Sequence, residues 1–182
     1  MSTLTVSTLQ ASSTTGNVIS VASGHSLIIP GSVVQTRQII KTDTFSAAPN
    51  GTWTDITGLT NTITPKKNTS NVMVIVTVIG GGSSTTPKVR LLRGSNVIAV
   101  GDTSGSKQSA TLGSYLQKDG NQVDTYTNVF IDSPATIGAT TYKLQLNNDN
   151  TNTVYINRST TDNDNSTGGR YMSQITLMEI AT

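Results

Sequence analysis

Val72-Met73-Val74-Ile75-Val76-Thr77-Val78-Ile79 is a continuous, mostly β-branched run, bounded by Asn71 on one side and by Gly80-Gly81-Gly82 on the other. A run of this length, rich in Val and Ile and closed by turn formers, reads as the central buried strand of a sheet. Working outward, strand-sized segments recur at short intervals over residues 33–41, 53–64, 88–93, 97–101, 110–116, 126–132, 140–146, 154–158 and 172–180. Polar loops such as 147–152 and 162–169 separate them, and Arg93-Gly94-Ser95-Asn96 has the chemistry of a hairpin turn. Nowhere do apolar residues recur at helical spacing over a long window, and Glu occurs once, at Glu179. The expected fold is therefore all-β: a jelly-roll-like β-sandwich with no substantial helix.

The last segment carries a further signal. Ile175, Leu177 and Glu179 fall on one face, and Gln174, Thr176, Met178 and Ile180 on the other. Both faces hold apolar residues, so one of them is expected to meet a neighbour rather than water.

The totals agree with a thin core. The chain has 182 residues, of which 34% are hydrophobic and only 12% charged, with Thr, Ser and Asn making up the difference. Such a chain is expected to draw stability from partner subunits as well as from its own interior. Disorder usually needs a high net charge and few β-branched residues; here the net charge is +2 and Thr, Val and Ile abound. No basic cluster is longer than Lys66-Lys67, so no nucleic-acid footprint is visible. Without cysteine there is neither a disulfide framework nor a thiolate site. The first residues lack the basic and apolar regions of a signal peptide, and no run approaches the ~20 apolar residues of a membrane span. The expectation is a chain made in a cytosol that does not enter a membrane.

Residues 1–32 differ from the rest, which suggests an N-terminal arm ahead of a body over 33–182. Leu4, Val6 and Leu9, then Val18, Ile19 and Val21, then Leu27, Ile28 and Ile29 form three brief apolar strips separated by Ser, Thr and Gly. Each is too short to bury itself, but copies wound around an axis bury them together, so these nine residues are candidate interface positions. The competing reading is a plain N-terminal tail. Pro30-Gly31 is a natural joint between arm and body.

Catalytic chemistry finds little to work with. His25 is the single histidine, and with Ser26 beside it in sequence it lacks the second member that acid-base catalysis needs. Asp43, Asp55, Asp102, Asp119, Asp124 and Asp132 are scattered over strand ends and turns, where Asp commonly caps backbone amides, and no glycosidase pair stands out. No enzymatic role and no cofactor are expected. A weak metal candidate is the alternation Asp162, Asp164, Ser166, which resembles the opening of a calcium loop. The match fails at Thr167, where the loop needs Gly, and at Ser173, where a bidentate Glu belongs. Gly80-Gly81-Gly82 after a strand lacks the Gly-Lys-Ser/Thr ending of a phosphate loop and reads as a flexible connection. Trp53, Tyr115, Tyr126, Tyr142, Tyr155 and Tyr171 are too dispersed for a sugar-binding platform and read as core-edge or interface residues.

Several motifs succeed one another in order. They are Thr3-Leu4-Thr5-Val6, the Pro-Gly joint leading into Ser32-Val33-Val34-Gln35, Lys41-Thr42-Asp43-Thr44-Phe45-Ser46 and Trp53-Thr54-Asp55-Ile56-Thr57-Gly58-Leu59. Ile63-Thr64-Pro65, Ser70-Asn71-Val72-Met73-Val74, Arg90-Leu91-Leu92-Arg93-Gly94-Ser95 and Ile175-Thr176-Leu177-Met178-Glu179-Ile180 complete the series. The chain thereby resembles a group of small tail-fibre-like and capsid-decoration proteins of phages, cyanophages among them, over nearly its whole length. The resemblance implies a jelly-roll body, a homotrimer and a place on the virion surface, with the major capsid protein or tail proteins as partners. Two locations compete. A capsid decoration (cement) protein clamps neighbouring capsomers; a tail fibre or spike touches the host surface, with a surface glycan as its partner. A carbohydrate-binding module is a third reading, and it predicts an aromatic cluster that the sequence does not display.

Overall fold

The computed structural model describes residue 23 and residues 29–83, 85–114, 120–166 and 168–182. Among them every regular element is a strand, in two antiparallel sheets that pack face to face, so the chain has the expected all-β sandwich of jelly-roll-like form. The strands are β1 (Val33–Lys41), β2 (Phe45–Ala47), β3 (Thr54–Ile63), β4 (Asn71–Gly82), β5 (Lys88–Arg93) and β6 (Asn96–Ile98). They continue with β7 (Leu112–Gly113), β8 (Val123–Asp132), β9 (Thr140–Asn147), β10 (Val154–Ile156) and β11 (Ser173–Ile180).

Sheet I is built around β4. On one side β4 pairs with β8, from Val72↔Asp132 to Gly81↔Val123. On the other it pairs first with β11, Ile180↔Asn71 to Gln174↔Thr77, and then with β10, Ile156↔Gly80 to Val154↔Gly82. β1 and β2 lie end to end along the far edges of β11 and β10. Both of these outer lines break at the same level, and Asn157 spans the break. Its backbone is left-handed (φ 65°). Its Nδ2 donates to the carbonyls of Lys41 and Asp43, each at 2.9 Å, and its Oδ1 accepts from Ser173 Oγ at 2.6 Å. Sheet II runs β3-β9-β5-β6, with β7 also on β5.

The core lies between the sheets. Val72, Val74, Val76 and Val78 of β4 are buried, with Ile175 and Leu177 of β11 beside them. They belong to one cluster with Ile56, Leu59 and Ile63 of β3, Val89 and Leu91 of β5, and Tyr142, Leu144 and Leu146 of β9. The run 72–79 is thus central but buried on one face only: Met73, Ile75, Thr77 and Ile79 on the other face are half-buried. The glycines after it belong to the strand rather than to a flexible connection. A side chain on Gly80 would press on the Tyr126 ring, and one on Gly81 would overlap the Arg158 carbonyl, so glycine is what lets these neighbours close in. The short β2 escapes a pattern reading because Phe45-Ser46-Ala47 is too brief to show a period. The turn Arg93–Asn96 is the hairpin expected, with Gly94 at φ 60°. β6 stops at Ile98, short of the expected 101, and Ala99 beyond it has a left-handed backbone (φ 54°).

Of the arm candidates, Leu4, Val6, Leu9, Val18, Ile19, Val21, Leu27 and Ile28 lie outside the described residues, as does His25. Ile29 is described and exposed, its carbonyl accepting from the Ser32 amide in the turn that leads into β1.

Candidate interaction surface

The two outward faces of the sandwich differ in chemistry. On sheet II, Asp55, Gln145 and Arg90 occupy one cross-strand row. Arg90 donates twice to Gln145 Oε1, at 2.8 and 2.6 Å, and its guanidinium lies 4.3 Å over the Trp53 ring. Gln145 donates to Asp55 Oδ1 at 2.6 Å, and Lys143 Nζ donates to Asp55 Oδ2 at 2.8 Å. The hydrogen bond from Lys143, reinforced by that from Gln145, holds the Asp55 carboxyl below its ordinary range. Lys88 pairs with Asp149 farther along the same side. This is a face of paired charges, suited to water.

Sheet I carries no charge at the paired outward positions of β8, β4, β11 and β1. Strand pairing fixes its rows. Ile131, Met73, Met178 and Thr36 form one; Val129, Ile75, Thr176 and Gln38 form the next; Thr127, Thr77, Gln174 and Ile40 form a third. Ile131 is 58% exposed, Val129 57%, Ile40 46% and Val33, at the corner opposite Ile180, 53%. The polar members satisfy each other: Gln38 donates to Thr176 Oγ1 at 3.1 Å and to Gln174 Oε1 at 3.0 Å. What remains is a ladder of Ile, Val and Met side chains open to the outside. At one end the loop after β10 closes over the sheet, its backbone against Gly81 and Arg158 stacked 3.9 Å over the Tyr155 ring.

The weak metal candidate sits on that same loop. Asp162, Asp164 and Ser166 are exposed, and Asp162 is bonded by Arg170 and lies 3.5 Å from Arg158. The hydrogen bond from Arg170 holds the Asp162 carboxyl below its ordinary range, so a guanidinium already takes the charge a cation would meet. A cleft of about 370 Å³ opens there between Asp162, Asp164 and Arg170. No group of three potential ligands from His, Asp and Glu occurs among the described residues.

Of the other candidate aspartates, Asp119 lies outside the described residues, Asp102 is exposed, and Asp132, Asp124 and Asp43 are dispersed and engaged structurally. Asp132 accepts from Arg93 Nη1 at 2.8 and 2.9 Å and from the Tyr142 hydroxyl at 2.6 Å, beneath the β5–β6 hairpin. Asp124 is bonded by Ser114, and Asp43 by Lys41 Nζ at 2.7 Å. Of the aromatics, Tyr142 is fully buried and Tyr126 nearly so, while Trp53 and Tyr155 are each covered by an arginine. Tyr115 lies outside the described residues.

Sequence patterning locates one strand of the apolar face and misses its extent. Alternation in β11 singles out Met178 and Ile180, but Val129 and Ile131 belong to the expected strand 126–132 with no face assigned until the register places them beside Ile75 and Met73.

No protein-family model matches the chain, and no curated protein matches it. Among solved structures it is similar to one described as the structure of infectious bursal disease virus Gt strain, at 10% identity and a TM-score of 0.42, over 91% of this chain and 42% of that one. The chain therefore spans less than half the length of that chain. At so low an identity and score the likeness bears on neither ancestry nor activity.

Proposed function

We propose that this chain is a bacteriophage virion structural protein, a homotrimeric capsid decoration (cement) protein that stabilises the shell through non-covalent contacts. The observation that carries the reading is the contrast between the two outward faces. One is a network of paired charges; the other is an uncharged ladder in which Ile131, Val129 and Ile40 stand open. A chain that works by assembly needs such a face, because burial of apolar area supplies adhesion without charge partners. The Thr-, Ser- and Asn-rich remainder keeps the exposed strands soluble with little charge. The resemblance of the motifs to small phage surface proteins points the same way, and it is what brings in the trimer, the virion surface and the major capsid protein as partner. Residues 1–32 act in this reading as an anchoring arm.

The test is the copy number of the chain in purified virions, by quantitative mass spectrometry against the major capsid protein. A ratio near that of the shell protein supports decoration. A ratio of a few per cent replaces it with a tail fibre or spike, whose contact is the host surface and its glycans.

A further inference from the structure

We infer that the outward face of sheet I is the surface by which one copy of this chain meets another. The inference rests on the self-association proposed above and names the surface that performs it.

Charge selects the occupant. Between β8 and β1 the face presents Thr, Ile, Val, Met, Gln and Asn and neither sign of charge. A partner recognised through acidic or basic groups has nothing to pair with there, and its charges would be desolvated without compensation. A second copy brings an equally uncharged face. Around a common axis each copy turns part of this face toward the next, so the uncharged rows meet without like-charge contact and the Ile131–Met73–Met178 row has apolar side chains to pack on. A lipid surface is disfavoured by the polar Thr127, Thr77 and Gln174 of the third row and by Thr176 and Gln38 of the second.

Size is compatible with a small interface. At ~4.8 Å per strand and ~3.3 Å per residue, four strand widths along residues 71–77, over which β4 pairs with β11, span roughly 19 Å by 23 Å. This flat footprint lies below the ~800 Å² that each partner buries in an interface of standard size, and side-chain relief enlarges it toward the smaller specific interfaces. The face is also bounded: the loop carrying Arg158, Asp162 and Arg170 puts paired charges at one end, as a rim around an apolar centre.

The experiment measures the mass of the full-length chain in solution by light scattering, in about 0.1 M and about 1 M NaCl, where the Debye length is ~10 Å and ~3 Å. The wild-type chain is expected at a multiple of its 19.1 kDa in both salts. The double variant Val129→Asp, Ile131→Asp is expected at 19.1 kDa with an unchanged β circular-dichroism spectrum. Ile40→Asp, on the opposite edge of the same face, serves as a second variant should the double variant not fold, and is expected to lose the assembly too. Ile137→Asp replaces an equally exposed apolar residue outside the ladder and is expected to assemble as wild type. A monomeric wild type, folded Asp variants that stay assembled, or dissociation in high salt each overturns the inference. Assembly lost only in the face variants, alongside a virion ratio of a few per cent, retains the inference and removes the decoration role. Assembly retained in the face variants, with a shell-like ratio, does the reverse.

Discussion

Ile131 of β8 and Met73 of β4 stand directly opposite each other on the outward side of sheet I, and Met178 of β11 extends their row. Three apolar side chains in one cross-strand row, on a face without charge, are a poor surface for water and a good one for a partner. The inward side of the same strands is buried against sheet II, so β4 and β11 each have one face that holds the fold and one left for the proposed assembly.

This division separates neighbours in sequence. Leu177→Ala removes a fully buried side chain and is expected to cost the fold about 2–5 kcal/mol. Met178→Ala, one residue on, is expected to leave urea unfolding of the dissociated chain within about 0.5 kcal/mol and to weaken association by about 1 kcal/mol. Denaturation and dilution series on the two variants check this; a Met178 variant that unfolds like the Leu177 variant contradicts it.

Asp132 is a carboxylate shared by Arg93 and Tyr142, and it joins the end of β8 to β5 and β9. Burial first, and the carboxylate beside it second, keep the Tyr142 hydroxyl protonated far above its ordinary range, so it acts as a donor. Asp132→Ala leaves that buried hydroxyl without an acceptor and Arg93 without its counter-charge, at an expected cost of about 3 kcal/mol. Tyr142→Phe is expected to cost only about 1 kcal/mol, since no buried charge is left uncompensated. Equal costs in urea titrations would mean that the Tyr142 hydroxyl bond, and not the Arg93 pair, carries what Asp132 contributes.

Glu179 gives the chain an acid limb. It is inaccessible to solvent, and burial acts to raise its carboxyl. Hydrogen bonds from Gln35 Nε2 at 2.6 Å and from the Lys66 amide at 2.7 Å outweigh that and leave the carboxyl below its ordinary 4.5. The unfolded chain therefore binds this proton more readily than the folded one. The contribution to stability is complete above the ordinary value and is lost as pH falls through the lower, folded value. Glu179→Gln is expected to flatten the decline of the urea midpoint below about pH 4.5, because no proton is taken up at that position. An unchanged acid slope would assign the limb to other carboxylates.

Gly81 tests how the loop after β10 sits on sheet I. A methyl group there would overlap the Arg158 carbonyl oxygen and lie 2.8 Å from Ser159 Cα, and backbone gives way poorly. Gly81→Ala is expected to destabilise by more than about 2 kcal/mol. Gly101→Ala, which meets open space, is expected to stay within about 0.5 kcal/mol. Thermal melts of the two variants decide it.

Much of this architecture is legible in the sequence. The run 72–79, the Arg93–Asn96 hairpin and the alternation in β11 are local signals, and each corresponds to an element in the structure. What escapes is non-local. A strand flanked on both sides reads as wholly apolar whether its second face is covered or bare, so the exposure of Ile75 and Met73 depends on β8 and β11 bringing Val129, Ile131 and Met178 alongside. The glycines 80–82 read as a break because their neighbours, Tyr126 and the Arg158 backbone, are distant in sequence. The Asp162, Asp164, Ser166 alternation gives no hint that Arg170 bonds the first carboxylate, since that contact is made by a loop turning back on itself.

If the ladder on sheet I is covered when the protein is at work, its methionines must be shielded, and oxidation by hydrogen peroxide reads that shielding residue by residue. Met73 and Met178 lie in the ladder, half-buried in the single chain. They are expected to be protected in the assembled protein and to oxidise readily once Val129→Asp and Ile131→Asp have dispersed it. Equal oxidation of both methionines in the assembled and dispersed forms would mean that the face stays open in the assembly, and that copies of the chain do not meet through it.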